Sequence, residues 1–239
     1  MVERFRGKVA FVAGGTGALG RAVSLAFLNE GAQVVVTYRR AEEFETLKHA
    51  AGERASALRG SVVDVTDPAA TRQVVERILA DVQRIDALVN AVGGYAGGMA
   101  LWETEPEVFE RMLALNVRSG FALCRAIVPA MLRQGSGAIV NVASRAAFDH
   151  GAGGAAYAAS KAAAVAMMDA LAADLKGKGV RANSVAPSIF DTEENRKAMP
   201  KADFARWPKP EEIARVILFL CSDDARLIHG ASVPVYGDT

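Results

Sequence analysis

The chain reads as a single doubly wound α/β domain, a parallel sheet flanked by helices on both faces, and three features of the sequence predict it. Short β-branched or apolar runs recur at residues 9–12, 34–37, 62–63, 87–92, 138–142, 180–185 and 233–236, with helical spacing between them. These runs are apolar throughout rather than alternating, as strands covered on both faces require. A glycine-rich turn follows the first of them, where such folds bind their ligands.

Taken in order, the first strand leads into Gly14-Gly15-Thr16-Gly17-Ala18-Leu19-Gly20, in which residues 15, 17 and 20 spell GxGxxG. A helical pattern through Val23, Leu25, Ala26 and Leu28 follows. Glycines there allow a tight turn and close approach of a pyrophosphate to the unpaired N–H groups of the helix, so the strand–turn–helix context favours a dinucleotide over an empty turn, in a Rossmann-type fold. The acid expected about 20 residues further on, to hold the adenosine ribose, is missing. The second strand ends instead at Tyr38-Arg39-Arg40, two guanidiniums suited to a 2′-phosphate, so NADP(H) is expected ahead of NAD(H), which stays possible. The bland alternative is that both arginines are surface charges pairing with Glu42 and Glu43.

Thr66-Asp67-Pro68 announces one helix, and Thr104 with Glu107 three residues on reads as a capping box for another, which carries Asn116. Ser144 follows the strand at 138–142, at its carboxyl end. Tyr157 and Lys161, four apart on an Ala-rich helix from Ala155 to about Leu175, share one face. An ammonium beside a phenol favours phenolate and brings the tyrosine toward a useful acid–base range, although the pair alone is a weak signal. The stretch 186–210 is irregular, polar and carries four prolines, which suits a substrate loop.

Composition excludes other classes. With 28 Lys and Arg against 27 Asp and Glu, the formal charge of +1 gives no basic excess for nucleic acid. Cys124 and Cys221 show no disulfide or zinc spacing, and His49, His150 and His229 stand isolated, so no metal is expected. No signal or membrane segment is read in the chain, and a cytoplasmic protein is expected.

The glycine turn, Asn90-Ala91-Val92-Gly93 after the fourth strand, Asn116, Ser144, the Tyr157–Lys161 stretch and the proline segment spanning 187–192 together resemble the short-chain dehydrogenase/reductase family, over nearly the whole chain. Two departures stand out: Ala18 replaces a glycine of the family's turn, and NAVG replaces a motif with two successive asparagines. The resemblance implies a reductase in which Tyr157 is the acid, Lys161 binds the nicotinamide ribose and lowers the tyrosine pKa, Ser144 hydrogen-bonds the reacting substrate atom, and Asn116 holds a water. It places the cofactor against residues 14–20, Tyr38, Arg39, Arg40, Asp64 and Val65 near the adenine, Asn90, Ala91, Val92 and Gly93, and Pro187, Ile189 and Thr192. It also implies a small-molecule substrate and a homodimer or homotetramer joined through the Ala-rich helix.

Residues 14–20, 93–98, 146–149 and 191–207 look further like the dihydropteridine reductases, whose substrate is a flat quinonoid pteridine. Tyr95, Phe204 and Trp207 would then face such a ring, or else pack a lid. Ser144, Asn116 and the basic end of the second strand depart from that group and fit a general carbonyl or 3-oxoacyl reductase. A non-catalytic NADP(H) sensor is the remaining class, and it would be expected to have lost the Tyr/Lys/Ser group.

Overall fold

A computed structural model describes residues 3–239. Among these, seven strands form one parallel sheet: β1 (Val9–Ala13), β2 (Gln33–Tyr38), β3 (Leu58–Val62), β4 (Ala87–Asn90), β5 (Gly137–Val142), β6 (Val180–Pro187) and β7 (Ser232–Val235), in the order β3-β2-β1-β4-β5-β6-β7. The order reverses between β1 and β4. There the two connections leave in opposite directions and open a crevice at the carboxyl ends of the strands.

Period-two projection splits the strand side chains between two cores. Val12, Val34, Val36, Val89 and Val140 pack with Phe27 and Leu28 of α1 (Ala18–Asn29) and Ile213, Ile217 and Leu218 of α8 (Pro210–Cys221). Val9, Phe11, Val35, Leu88 and Ile139 face the other way. They meet Val74, Val75 and Ile78 of α3 (Pro68–Val82), Leu123, Ile127 and Met131 of α5 (Ser119–Gln134), and Met168 of α6 (Ala155–Leu175). Apolar burial on both faces is why the strands read as continuous apolar runs.

Two expectations need correction. β3 starts at Leu58, four residues before the apolar pair at 62–63, and its residues Arg59, Gly60 and Ser61 pair with Val35, Val36 and Thr37 of β2. As an edge strand it is held by backbone pairing on one side only, so its sequence carries little apolar signal. Thr104 caps no helix either: α4 (Pro106–Leu113) starts after Glu105, and the Thr104 hydroxyl donates to the Ala100 carbonyl. Pro106, preset for the first helical position, moves the start inward. By contrast, Asp67 caps α3 as expected, accepting from the amides of Ala69 and Ala70 at 2.8 and 3.1 Å.

α4 runs without a break through one π-helical turn (Ala114–Arg118) into α5. The resulting helix, 106–134, is long and apolar enough to cross a membrane. Here its apolar side lies on the sheet through Leu123, Ile127 and Met131. The 186–210 stretch holds a short helix, α7 (Glu193–Ala198), and a single 3-10 turn (Phe204–Arg206); α2 (Ala41–Ala51) lies between β2 and β3.

Candidate active site

The glycine turn wraps the amino end of α1. Gly14 has φ +70°, a left-handed conformation that favours glycine, and a Cβ on Gly20 would lie 2.0 Å from the Gly14 carbonyl oxygen, so both glycines are demanded by the turn itself. Gly17 is different. A Cβ there would meet only that carbonyl, at 3.5 Å, so its bareness leaves room for a ligand rather than for the protein. Gly17 is also the helix N-cap and lends no side chain, leaving the first amides of α1 uncapped, a fit for a pyrophosphate. Ala18 opens α1 without disturbing this end, while Leu19 and Gly20 turn into the core behind it.

Beside the turn lies a cleft of about 200 Å³, lined by Gly14, Thr16, Gly17, Thr37, Tyr38, Arg39, Glu43, Val63, Asp64, Val65, Ala91, Val92, Gly93 and Leu115. Its shape and place suit the adenosine half of a dinucleotide. Ten of the twenty predicted cofactor residues line this cleft; Ala18, Leu19, Gly20, Lys161, Pro187, Ile189 and Thr192 lie outside it, and so do three more. Arg40 turns away to pair with Glu43, donating from Nε at 2.8 Å and also from Nη2. Gly15 packs behind the turn, where a Cβ would meet Val36 at 2.5 Å. Asn90 is buried and donates to Asn141 Oδ1 at 2.9 Å, so it braces β4 against β5. Glu43, Thr37, Val63 and Leu115 also line the cleft, and of these only Glu43 carries a sequence signal, its spacing three after Arg40.

The predicted proton-transfer residues converge at the carboxyl ends of β4 and β5. Tyr157 is partly buried, and burial pushes its phenol above the ordinary range while interaction with the Ser144 hydroxyl pulls it back. Lys161 lies 5.9 Å from the Tyr157 ring centroid and donates to the Val142 carbonyl at 2.9 Å. The expected lowering of the phenol by the ammonium is therefore not what this geometry delivers. Burial governs both groups, and it brings Lys161 down to about 8.

Asn116 sits in the π turn, buried, with Nδ2 donating to Ser160 Oγ at 2.9 Å and to the Gly94 carbonyl at 3.1 Å, while Oδ1 accepts from Gly94 N at 3.0 Å. The extra residue of a π turn re-aims one side chain, here toward the segment 93–94. Gly93 is held in the same contact: a Cβ there would stand 2.9 Å from Asn116 Oδ1 and 3.2 Å from Lys161 Nζ. Asn116, Gly93 and Lys161 thus form one wall that leads from the cleft to Tyr157.

On the open side, the Tyr95 ring meets Tyr157 edge to face at 5.0 Å and is 71% exposed, free to contact a substrate. A further cavity of about 290 Å³ is bounded by Ser144, Arg145, Ala146, Asp149, Ser188, Ile189 and Thr239. Trp207 is a correction: it is 6% exposed and packs on Phe204 at 5.0 Å, whose ring also carries the Arg196 guanidinium. These two aromatics secure the 186–210 segment and are not faces for a ring. Pro187 is buried at the end of β6, Ile189 borders the cavity, and Thr192 caps α7 by accepting from Asn195 N at 3.1 Å. A larger hollow, about 410 Å³, opens at the amino ends of the strands, far from these residues; Arg181 there is committed to the carbonyls of Leu220 and Ser222.

Comparison with known proteins gives the same direction. The family of the short chain dehydrogenase matches residues 8–203. The D-threitol dehydrogenase of Mycolicibacterium smegmatis is 36% identical over 98% of this chain and 93% of its own length. The 3-oxoacyl-[acyl-carrier-protein] reductase of Thermotoga maritima is 32% identical over 98% of both. Among solved structures, NAD+-bound xylitol dehydrogenase superposes with a TM-score of 0.90 at 27% identity, covering 98% of this chain and 99% of that one. ElxO with NADP bound gives 0.91 at 25% identity, covering 96% and 97%. With a family match over most of its length and relatives above 30% identity across nearly all of it, this chain belongs to the short-chain dehydrogenase/reductase family of oxidoreductases, whose cofactor is a nicotinamide dinucleotide.

Proposed function

We propose that this protein interconverts a small carbonyl compound and its alcohol, with Tyr157 as the proton donor in the reductive direction and NADP(H) as the favoured cofactor. The observation that carries the reading is a partly buried phenol flanked by Ser144 and by the buried Lys161, beside a glycine cradle. When bound, the nicotinamide supplies hydride, and this chain supplies orientation and the proton. In the reductive direction, Tyr157 holds its proton at Oη and gives it to the substrate oxygen. Ser144 Oγ donates to that same oxygen and stabilises the charge it gains. Lys161, anchored on Val142, binds the ribose side, and Asn116 fixes the segment 93–94 that lines the approach. Arg39, facing the cleft, is the group that favours the 2′-phosphate.

A general carbonyl or 3-oxoacyl reductase is favoured over a pteridine reductase. D-threitol and 3-oxoacyl-[acyl-carrier-protein] appear in the names of relatives. Of the three aromatics expected against a pteridine, only Tyr95 stands at the site. The free thiols Cys124 and Cys221 suit the reducing cytoplasm. The alanines Ala159, Ala163 and Ala166, exposed on α6, suit close approach of a second copy in a dimer or tetramer.

NADPH oxidation measured against short ketones, a 3-oxoacyl thioester and a quinonoid pteridine tests this. Turnover of a ketone or thioester is expected, and Tyr157→Phe should lower kcat by about 10²–10⁴-fold, the usual share of general acid catalysis, while nucleotide binding persists. Full turnover by Tyr157→Phe would remove the proton-donor role. Turnover of the pteridine alone would restore the narrower reading, and binding without any turnover would make the protein a sensor.

A further inference from the structure

We propose that Glu43 is a cofactor-selecting residue that limits the preference for a 2′-phosphorylated nucleotide, its carboxylate standing in the adenosine cleft and opposing Arg39. The inference rests on the dinucleotide reading of that cleft and goes beyond it, because Arg39 and Arg40 alone would predict a strong and simple preference for the phosphate.

The charges around the cleft are not those the sequence suggests. Its lining contains one cation, Arg39, and two carboxylates, Glu43 and Asp64. Arg40 is spent: both its Nε and its Nη2 donate to Glu43 Oε1, and it does not line the cleft. The other oxygen, Oε2, accepts from Thr16 Oγ1 at 3.0 Å, which fastens Glu43 to the glycine turn and fixes it at the cleft wall. Asp64 is likewise fixed, its Oδ1 accepting from the Thr66 amide and hydroxyl at 2.9 and 2.8 Å. The Arg40 and Thr16 contacts hold the Glu43 carboxyl below the ordinary range, and the Thr66 bonds do the same for Asp64, so both stay ionised at neutral pH.

A ribose bearing a free 2′-hydroxyl meets this wall without penalty, since a carboxylate accepts from a hydroxyl. A 2′-phosphate brings negative charge to a lining in which a single guanidinium, Arg39, stands with two carboxylates, the Arg40 charge being spent on Glu43. The arrangement is therefore that of a protein that accepts both cofactors. Removing the Glu43 charge would leave Arg39 opposed by Asp64 alone and release Arg40 to join it.

Calorimetric titration of the full chain with 5′-AMP and with adenosine 2′,5′-bisphosphate reads this directly, without turnover. Glu43→Gln should tighten the bisphosphate by about tenfold, the scale of one repulsive charge removed at a partly screened site, and leave 5′-AMP within about twofold. Arg39→Ala should weaken only the bisphosphate. Equal changes for the two ligands in Glu43→Gln, or weaker binding of both, would mean that Glu43 only braces the turn, and the proposal would fall. Glu43→Ala repeats the test without the amide's hydrogen bonds. If the unaltered chain binds neither nucleotide, the dinucleotide reading fails and takes this inference with it; if it binds both and the ratio does not move, only the inference fails.

Discussion

Lys161 shows how burial sets the properties of a single residue. The residue is 5% exposed, the hydrogen-bond partner of its ammonium is a neutral carbonyl, and it is brought down to about 8 against 10.5 for a free lysine. Between those values the unfolded chain holds a proton that the folded chain has released, so this group makes stability rise as pH rises from about 8 toward 10.5, and its cost is fully present below 8. Cys124 and Cys221, each pushed up to about 12 by burial, act in the opposite sense above pH 9, because the folded chain keeps protons that the unfolded chain loses. The difference between the parent and Lys161→Met cancels the thiols. Urea midpoints should therefore show the variant the more stable at pH 7, with the gap closing as the buffer approaches pH 10. A gap independent of pH would mean that the lysine is not held in an apolar site. At this scale Tyr157 and Lys161 are legible because their spacing is local, and Ser144 is legible as a residue just past the carboxyl end of β5. The sequence misplaced Trp207 and Arg40, whose roles depend on what stands opposite them, a phenyl ring in one case and a carboxylate in the other.

Elements were legible where their signals are carried by their own residues. Asp67 before Pro68 marks α3 because a short carboxylate reaches the second and third amides of its own helix. Asp67→Ala should reduce stability by about 1 kcal/mol, seen as a lower urea midpoint with an unchanged slope, because only a cap is lost. No change would indicate that water replaces the carboxylate at those amides. The π turn at 114–118 had no such signal: its helical periodicity differs from the α pattern by one residue, and it is seen only through the contact of Asn116 with Gly94 and Ser160. The edge strand β3 was misplaced for a related reason. Its central residues Arg59, Gly60 and Ser61 are not apolar, whereas the other edge strand, β7, keeps an apolar sequence that marks it to within one residue.

Across the whole molecule, the cleft joins the two halves of the sheet at the β1–β4 switch, so a ligand bound there contacts both and should stabilise the fold as a unit. NADPH at one hundred times its dissociation constant contributes about 2.7 kcal/mol, or roughly 5–10 °C in Tm for a chain of this length. Gly17→Glu places a charged side chain in the cradle that Gly17 leaves open, and should abolish the shift while leaving the unliganded Tm within a few degrees. Scanning calorimetry of both proteins with and without nucleotide decides the matter; an equal shift in both would show that the nucleotide binds elsewhere.

The order of strands and helices, the glycine turn and the Tyr/Ser/Lys group follow from the sequence alone, because periodicity and fixed short spacings are properties of neighbouring residues. Which charges share the cleft, which aromatics are buried and which helix turns carry an extra residue came only with the tertiary structure. Those depend on residues such as Thr16 and Glu43, 27 positions apart, being brought within 3.0 Å, and long-range proximity is set by the packing of the whole sheet.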